Sequence, residues 1–235
     1  MLNTAILVCG DGTAMQAVID AQKNGIIADA KIGLVVSSVK DAPALEKAAE
    51  AGIKTLVFDP ADYADAKVWE DALAKELKRY RIDLVVIAEY VADFSENFTK
   101  HFPNRIINVH PSLIPAFIGE GMRGLRVHQA AIDIGVKITG ATVYYTGPCG
   151  GIGEIIAQKA VEVLRGDTAE ILAKRVTEKA VCEILPRAVQ IVAEDAALGN
   201  IIANTRCISE GRMKDMAREL AGMKSGASTY KNLMG

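Results

Sequence analysis

The feature that most constrains the fold is an alternation. Short runs rich in Val and Ile, "TAILVC", "KIGLVVSS", "KTLVF", "DLVVIA" and "RIINV", are separated by Ala-rich amphipathic segments such as "AMQAVIDAQKNG" and "APALEKAAEAG". Strands that are apolar throughout are buried on both faces, and strands separated by helical segments build βαβ units around a parallel sheet. The first helix stops at Gly25, the second at Gly52, where glycine supplies the left-handed residue that closes a helix. A helix is expected from Lys67 to Arg79, and a short one, "SENFTKHF", capped by Ser95. The expected class is α/β: a Rossmann-like, open, mostly parallel sheet with helices on both faces.

A chain of 235 residues, half of them hydrophobic, buries a full core as one domain. We divide it into a domain of residues 1–195 and a C-terminal appendage, 196–235, with a helix from Glu210 to Gly222 whose stripe is Met213, Met216, Leu220 and Met223. No internal repeat or low-complexity linker interrupts it. The formal charge of -2 and pI near 6.0 exclude a general basic field for nucleic acid or an anionic membrane, so small molecules are the expected partners, with a monomer or homodimer. The start, "MLNTAILVCGDG", lacks the basic flank and cleavage site of a signal peptide. No apolar run reaches the roughly 18 residues of a membrane span, and the expected location is cytoplasmic. Cys9, Cys149, Cys182 and Cys207 are scattered without a metal-ligand spacing; reduced thiols and no metal are expected.

Two stretches carry chemistry. "INVHPSLIPAF" ends a strand with Asn108 and His110 and then runs into Pro111 and Pro115, which hold the following backbone extended. In open α/β sheets ligands bind beyond the carboxyl ends of the strands, where these two side chains sit. The competing reading is structural: a satisfied histidine and a turn-capping asparagine. "CGDGTAM" joins the first strand to its helix. Gly10, Gly12 and Thr13 form a tight turn, outward amides and a hydroxyl at a helix N-terminus, a receptor for phosphate. The same turn also serves as a plain strand-to-helix connection, and Met15 leaves the dinucleotide fingerprint incomplete.

The stretches "ILVCGDGTAMQAVIDA", "INVHPSLIPAF", "GMRGLRVHQAAIDIGVKITGATVYY" and "IIAQKAVEV" resemble, in order and spacing, the phosphoribosylglycinamide formyltransferases, over about residues 3 to 193. The resemblance implies formyl transfer from 10-formyltetrahydrofolate, as cosubstrate, to the amine of glycinamide ribonucleotide in purine biosynthesis. It implies a phosphate held at Gly10, Gly12 and Thr13, folate contacts at Tyr90 and Val91, and catalytic roles for Asn108 and His110; Glu89 stands where the family has a small glycine, and its carboxylate either contacts the pterin as a folate-binding residue or fills the entrance. The asparagine amide would meet the developing oxyanion, and the imidazole would stabilise it or carry the proton.

The chain departs from that pattern at several places. The family's loop aspartate corresponds to Gly151 in "TGPCGGIGEII", with Glu154 the only carboxylate in the loop and the candidate substitute acid. An asparagine of the phosphate loop is replaced by Ala14, an acidic residue five places before Pro186 by Val181, and a basic residue after the fourth strand by Ala92. Reduced or altered activity is therefore expected of an enzyme. The alternative is a diverged, non-catalytic paralogue that binds a phosphorylated ligand or folate; a hydrolase of formyl-folate would need the same missing aspartate.

Overall fold

The computed structural model describes residues 1–90, 94–119 and 121–199. The expected helix at Glu210–Gly222, and Val91 and Ala92, lie outside them. Seven strands, β1 (Leu2–Val8), β2 (Ala30–Ser37), β3 (Lys54–Val57), β4 (Leu84–Ile87), β5 (Ile106–His110), β6 (Ile138–Thr146) and β7 (Ile152–Glu162), form one sheet in the order β3-β2-β1-β4-β5-β6-β7. The five N-terminal strands are parallel; β6 pairs antiparallel with both β5 and β7. The class expected from the alternation is the one observed.

Helices cover both faces because every central strand is apolar on both. Against one face pack α1 (Thr13–Lys23), α2 (Pro43–Glu50), α5 (Leu125–Ile134), α6 (Ala169–Val176) and α7 (Cys182–Ala197), through residues such as Met15, Val18, Leu172, Leu185 and Val189. Against the other pack α3 (Ala66–Arg79) and α4 (Glu96–Thr99), with Trp69, Leu73, Leu77 and Phe98 fully buried. Burial of each such side chain contributes roughly 1.5–3 kcal/mol. The α7 helix runs two residues beyond the expected domain limit at 195.

On the α3 side an aromatic stack leads to the end of β4. Trp69 stacks on Phe94 at 5.4 Å, Phe94 on Phe98 at 4.1 Å, and Tyr90 joins Phe94 at 5.9 Å. Buried Glu70 accepts from the backbone N–H and the hydroxyl of Ser95 at 2.7 and 2.6 Å, and so ties the start of α4 to α3. The chain entering the cavity from β4 thus rests on a rigid base.

Between α6 and α7 the chain makes a π-helical turn, Thr177–Val181. Pro186 lies inside α7 and cannot donate to the carbonyl four residues earlier, so regular helical bonding is already interrupted there. Turns of this kind often mark sites of function. Of the thiols, Cys9 and Cys182 are free, but Cys149, exposed on the turn between β6 and β7, is disulfide-bonded, which corrects the expectation of reduced cysteines.

Candidate active site

A cavity of about 820 Å³ opens at the carboxyl ends of β1, β4 and β5. Its wall includes Asn108 and His110 from β5, Glu89 and Tyr90 after β4, Cys9 after β1, Tyr144 from β6, Gly151 from the β6–β7 turn, His128 from α5, and Val181. It is large enough for a drug-sized ligand.

The segment after β5 is fixed from beneath. The Thr142 hydroxyl donates to Ser112 O at 2.7 Å and accepts from Ile114 N–H, while the Gln158 amide donates to Ile114 O at 3.0 Å and to the Thr142 hydroxyl. The Ser112 hydroxyl closes the turn onto Ala116 O at 2.6 Å. The two prolines alone therefore do not present Asn108 and His110; the antiparallel strands β6 and β7 hold the loop.

Each of the two polar side chains has one orienting partner among the described residues. The Asn108 amide donates to the Tyr144 hydroxyl at 3.0 Å, which leaves its second N–H for a ligand. Burial pushes the Tyr144 phenol up to about 12, against the opposing effects of Asn108 and Arg123, so it stays protonated. His110 Nε2 lies 2.9 Å from Phe117 O. A carbonyl only accepts, so Nε2 carries the proton and Nδ1 of the neutral ring keeps its lone pair. Burial lowers the His110 pKa, and the bond to Phe117 offsets part of that.

Gly151 is part of the cavity wall, as the alignment of its loop implies. Glu154 is not brought there. It lies three residues further on, in β7, where Ile152 is buried and Glu154 is exposed, and register shifts against β6 at Tyr144 and Thr146 interrupt the regular alternation. The turn itself cannot slide, because Gly150 sits at φ 82 with the Phe94 carbonyl oxygen 1.9 Å from where a Cβ would stand.

The β1–α1 turn is already occupied by its own acid. Asp11 accepts from Thr13 N–H at 2.8 Å and from the Thr13 hydroxyl at 2.9 Å, and Lys47 donates to Asp11 O at 2.6 Å. Burial pushes Asp11 up, but the two bonds from Thr13 and the charge of Lys47 outweigh it and hold the carboxyl below its ordinary value. Glu89, although open to solvent, leans over the same turn: a Cβ on Gly10 would stand 2.9 Å from its Oε2. Local desolvation and repulsion from Asp11 raise its pKa. Gly12 is buried at φ 73 and caps α1 through backbone alone. Tyr90, also in the cavity wall, anchors itself by donating to Phe58 O at 3.2 Å.

Residues 2–189 match the family described as formyl transferase. The chain belongs to that family. Over 179 residues it is 34% identical to phosphoribosylglycinamide formyltransferase of Haemophilus influenzae, covering 76% of this chain and 82% of that one. It is 35% identical over 195 residues to the trifunctional purine biosynthetic protein adenosine-3 of Gallus gallus, covering 83% of this chain but spanning only 19% of that protein's length. Among solved structures, glycinamide ribonucleotide transformylase 1 from Symbiobacterium toebii superposes with a TM-score of 0.76 at 39% identity, covering 83% of this chain and 88% of that one. Within this formyl transferase fold, three wall residues escaped the sequence reading: His128, Tyr144 and the exposed Arg123. Among the described residues no group of three or more His, Cys, Asp and Glu is arranged to hold a metal ion, and no helix is long and apolar enough to cross a membrane.

Proposed function

We propose that this chain transfers the formyl group of 10-formyltetrahydrofolate to the amine of glycinamide ribonucleotide. The observation that carries the reading is the placement of Asn108 and His110 side by side on one cavity wall, each oriented by a single partner and each with hydrogen-bonding capacity left over. The amine attacks the formyl carbon, and the free amide N–H of Asn108 receives the developing oxyanion. His110, whose pKa burial lowers and the bond to Phe117 partly restores, exchanges a proton with the reacting nitrogens. Glu89 and Tyr90 contact the folate, and the Gly10–Thr13 turn receives the phosphate once Asp11 turns away.

A second reading, a binding protein with diminished chemistry, is favoured by one specific observation: the hydrogen bond of His110 is to a carbonyl, and Gly151 brings no carboxylate to the wall. One experiment separates the two. The protein is mixed with 10-formyltetrahydrofolate and glycinamide ribonucleotide, and free tetrahydrofolate and formylated product are measured together. Stoichiometric release of both supports the transferase. Folate binding by calorimetry without product would leave the binding protein.

A further inference from the structure

His128 is a buried histidine, 3% exposed, that lines the cavity from α5. Its Nδ1 is sealed from solvent and has no hydrogen-bond partner among the described residues. A histidine kept for packing would have that nitrogen satisfied, or would be replaced by an aliphatic side chain of similar size. Among the described residues no bond at Nδ1 fixes the tautomer of the ring.

We propose that His128 is a second catalytic histidine of this cavity and forms with His110 a pair that carries one proton between the attacking amine and the departing folate nitrogen. The assignment rests on the formyl-transfer reading above. Formyl transfer moves a proton as well as a carbon. The amine nitrogen forms a bond to the formyl carbon and the C=O π pair moves to oxygen. The amine then gives up a proton, the oxygen pair re-forms the C=O bond, and the bond from carbon to the folate nitrogen breaks with its electron pair as that nitrogen gains a proton. One group must accept while another delivers. His110 in its imidazolium form delivers and neutral His128 accepts, after which the proton returns from His128 to His110 and the pair is restored.

The arrangement favours this division. Burial, and then the positive charge of a protonated His110, depress His128 to about 4, so the pair holds one proton at a time and titrates as a unit. Among the described residues the other titratable or charged groups in the wall are Glu89 and Tyr90 at the end of β4, Cys9 at the tip of β1, Tyr144 on β6, and Arg123 before α5. Tyr144 and Cys9 are both held protonated by burial.

The chain has only three histidines, which makes the test direct. In the full-length protein the imidazole signals of His101, His110 and His128 are assigned by single substitutions and titrated by NMR. The expected result is that His128 stays neutral down to about pH 5 and that its midpoint rises in His110→Asn. A midpoint near the ordinary histidine value that ignores His110→Asn overturns the pair.

The kinetic arm uses His128→Gln, whose amide fills the site without titrating, and His128→Asn as a second variant should the first not fold. In the variant that melts like the wild type, kcat should fall about a hundredfold with KM for both substrates little changed, and the acid limb of the kcat profile should move. Unchanged kcat and profile overturn the proposal even if the NMR coupling is present. Should the wild type itself transfer no formyl group, the formyl-transfer reading fails and the catalytic role of His128 falls with it. The titration then still reports on its own whether the two rings share a proton.

Discussion

Replacing Asn108 by alanine separates its two hydrogen bonds, one to the protein and one to the reaction. The bond to Tyr144 at 3.0 Å is between neutral partners, and such a bond contributes about 1 kcal/mol net. Its loss strands a buried hydroxyl, so the stability change should be about 1–2 kcal/mol. The second N–H acts only when charge develops on the formyl oxygen, and removing a preorganised donor of that kind raises the barrier by roughly 3 kcal/mol, about a hundredfold in kcat. Tyr144→Phe is the control. It deletes the same 3.0 Å bond from the other end while leaving the Asn108 amide in the cavity, so it should match the stability loss and keep most of the turnover. Urea unfolding gives the first quantity, and initial rates of tetrahydrofolate release at saturating substrates give the second. The reasoning is refuted if Asn108→Ala unfolds the protein by more than about 3 kcal/mol with kcat intact, or if both variants lose turnover equally, since the effect would then run through the shared bond.

Gly151 faces the cavity and is not held at positive φ, so Gly151→Asp can place a carboxylate in the wall without backbone strain; kcat should rise tenfold or more, and an unchanged rate at unchanged melting temperature would show that this position is irrelevant to the chemistry. Asp11→Asn removes the charge that occupies the β1–α1 turn, and inorganic phosphate should then raise the melting temperature more than it does in the wild type; equal shifts would place phosphate elsewhere. His128 has a folded pKa of about 4, below the unfolded value of about 6.5. Its stabilising contribution is therefore complete above that unfolded value and is lost as pH falls toward the folded one. His128→Gln should flatten this part of the acid limb, measured by urea midpoints at each pH. Gly150→Ala meets the Phe94 carbonyl oxygen at 1.9 Å from a residue at φ 82 and should destabilise the protein by more than about 2 kcal/mol, checked by calorimetry.

Strands β1 to β5 were legible because each is an apolar run between helix-forming segments, and the buried, parallel half of a sheet leaves that signature. The strand β7, "IGEIIAQKAVE", did not declare its partner. It lies at the sheet edge with most side chains at least partly exposed, and antiparallel pairing is decided by register with β6 rather than by composition. Asn108 and His110 could be read because their strand ends abruptly in proline. His128 could not: on an amphipathic helix, one histidine on the buried face looks like core until its unpaired nitrogen and the cavity are seen. Asp11 was hidden for the opposite reason. In Gly-Asp-Gly-Thr an acid reads as a turn former, and only the coordinates show that it answers the same Thr13 groups that a phosphate would use. Glu154 could be named only as the loop's carboxylate, because its side of the strand is set by register shifts that composition does not carry.

The continuity of the cavity governs the kinetics as well as the binding. The β1–α1 turn is adjacent to Cys9, which shares one wall with Glu89, His110 and Gly151. Cys9 is the wall's one free thiol among the described residues, and burial, then the charge of Glu89, keep it protonated and a weak nucleophile. On the formyl-transfer reading the two imidazoles of the wall handle the proton, and no group there is assigned to hold the formyl group between substrates. Donor and acceptor must therefore occupy the cavity together, and each must wait for the other. Initial-rate plots against one substrate at fixed levels of the second should intersect instead of running parallel, and formyl-folate alone should neither acylate the protein nor release a burst of tetrahydrofolate.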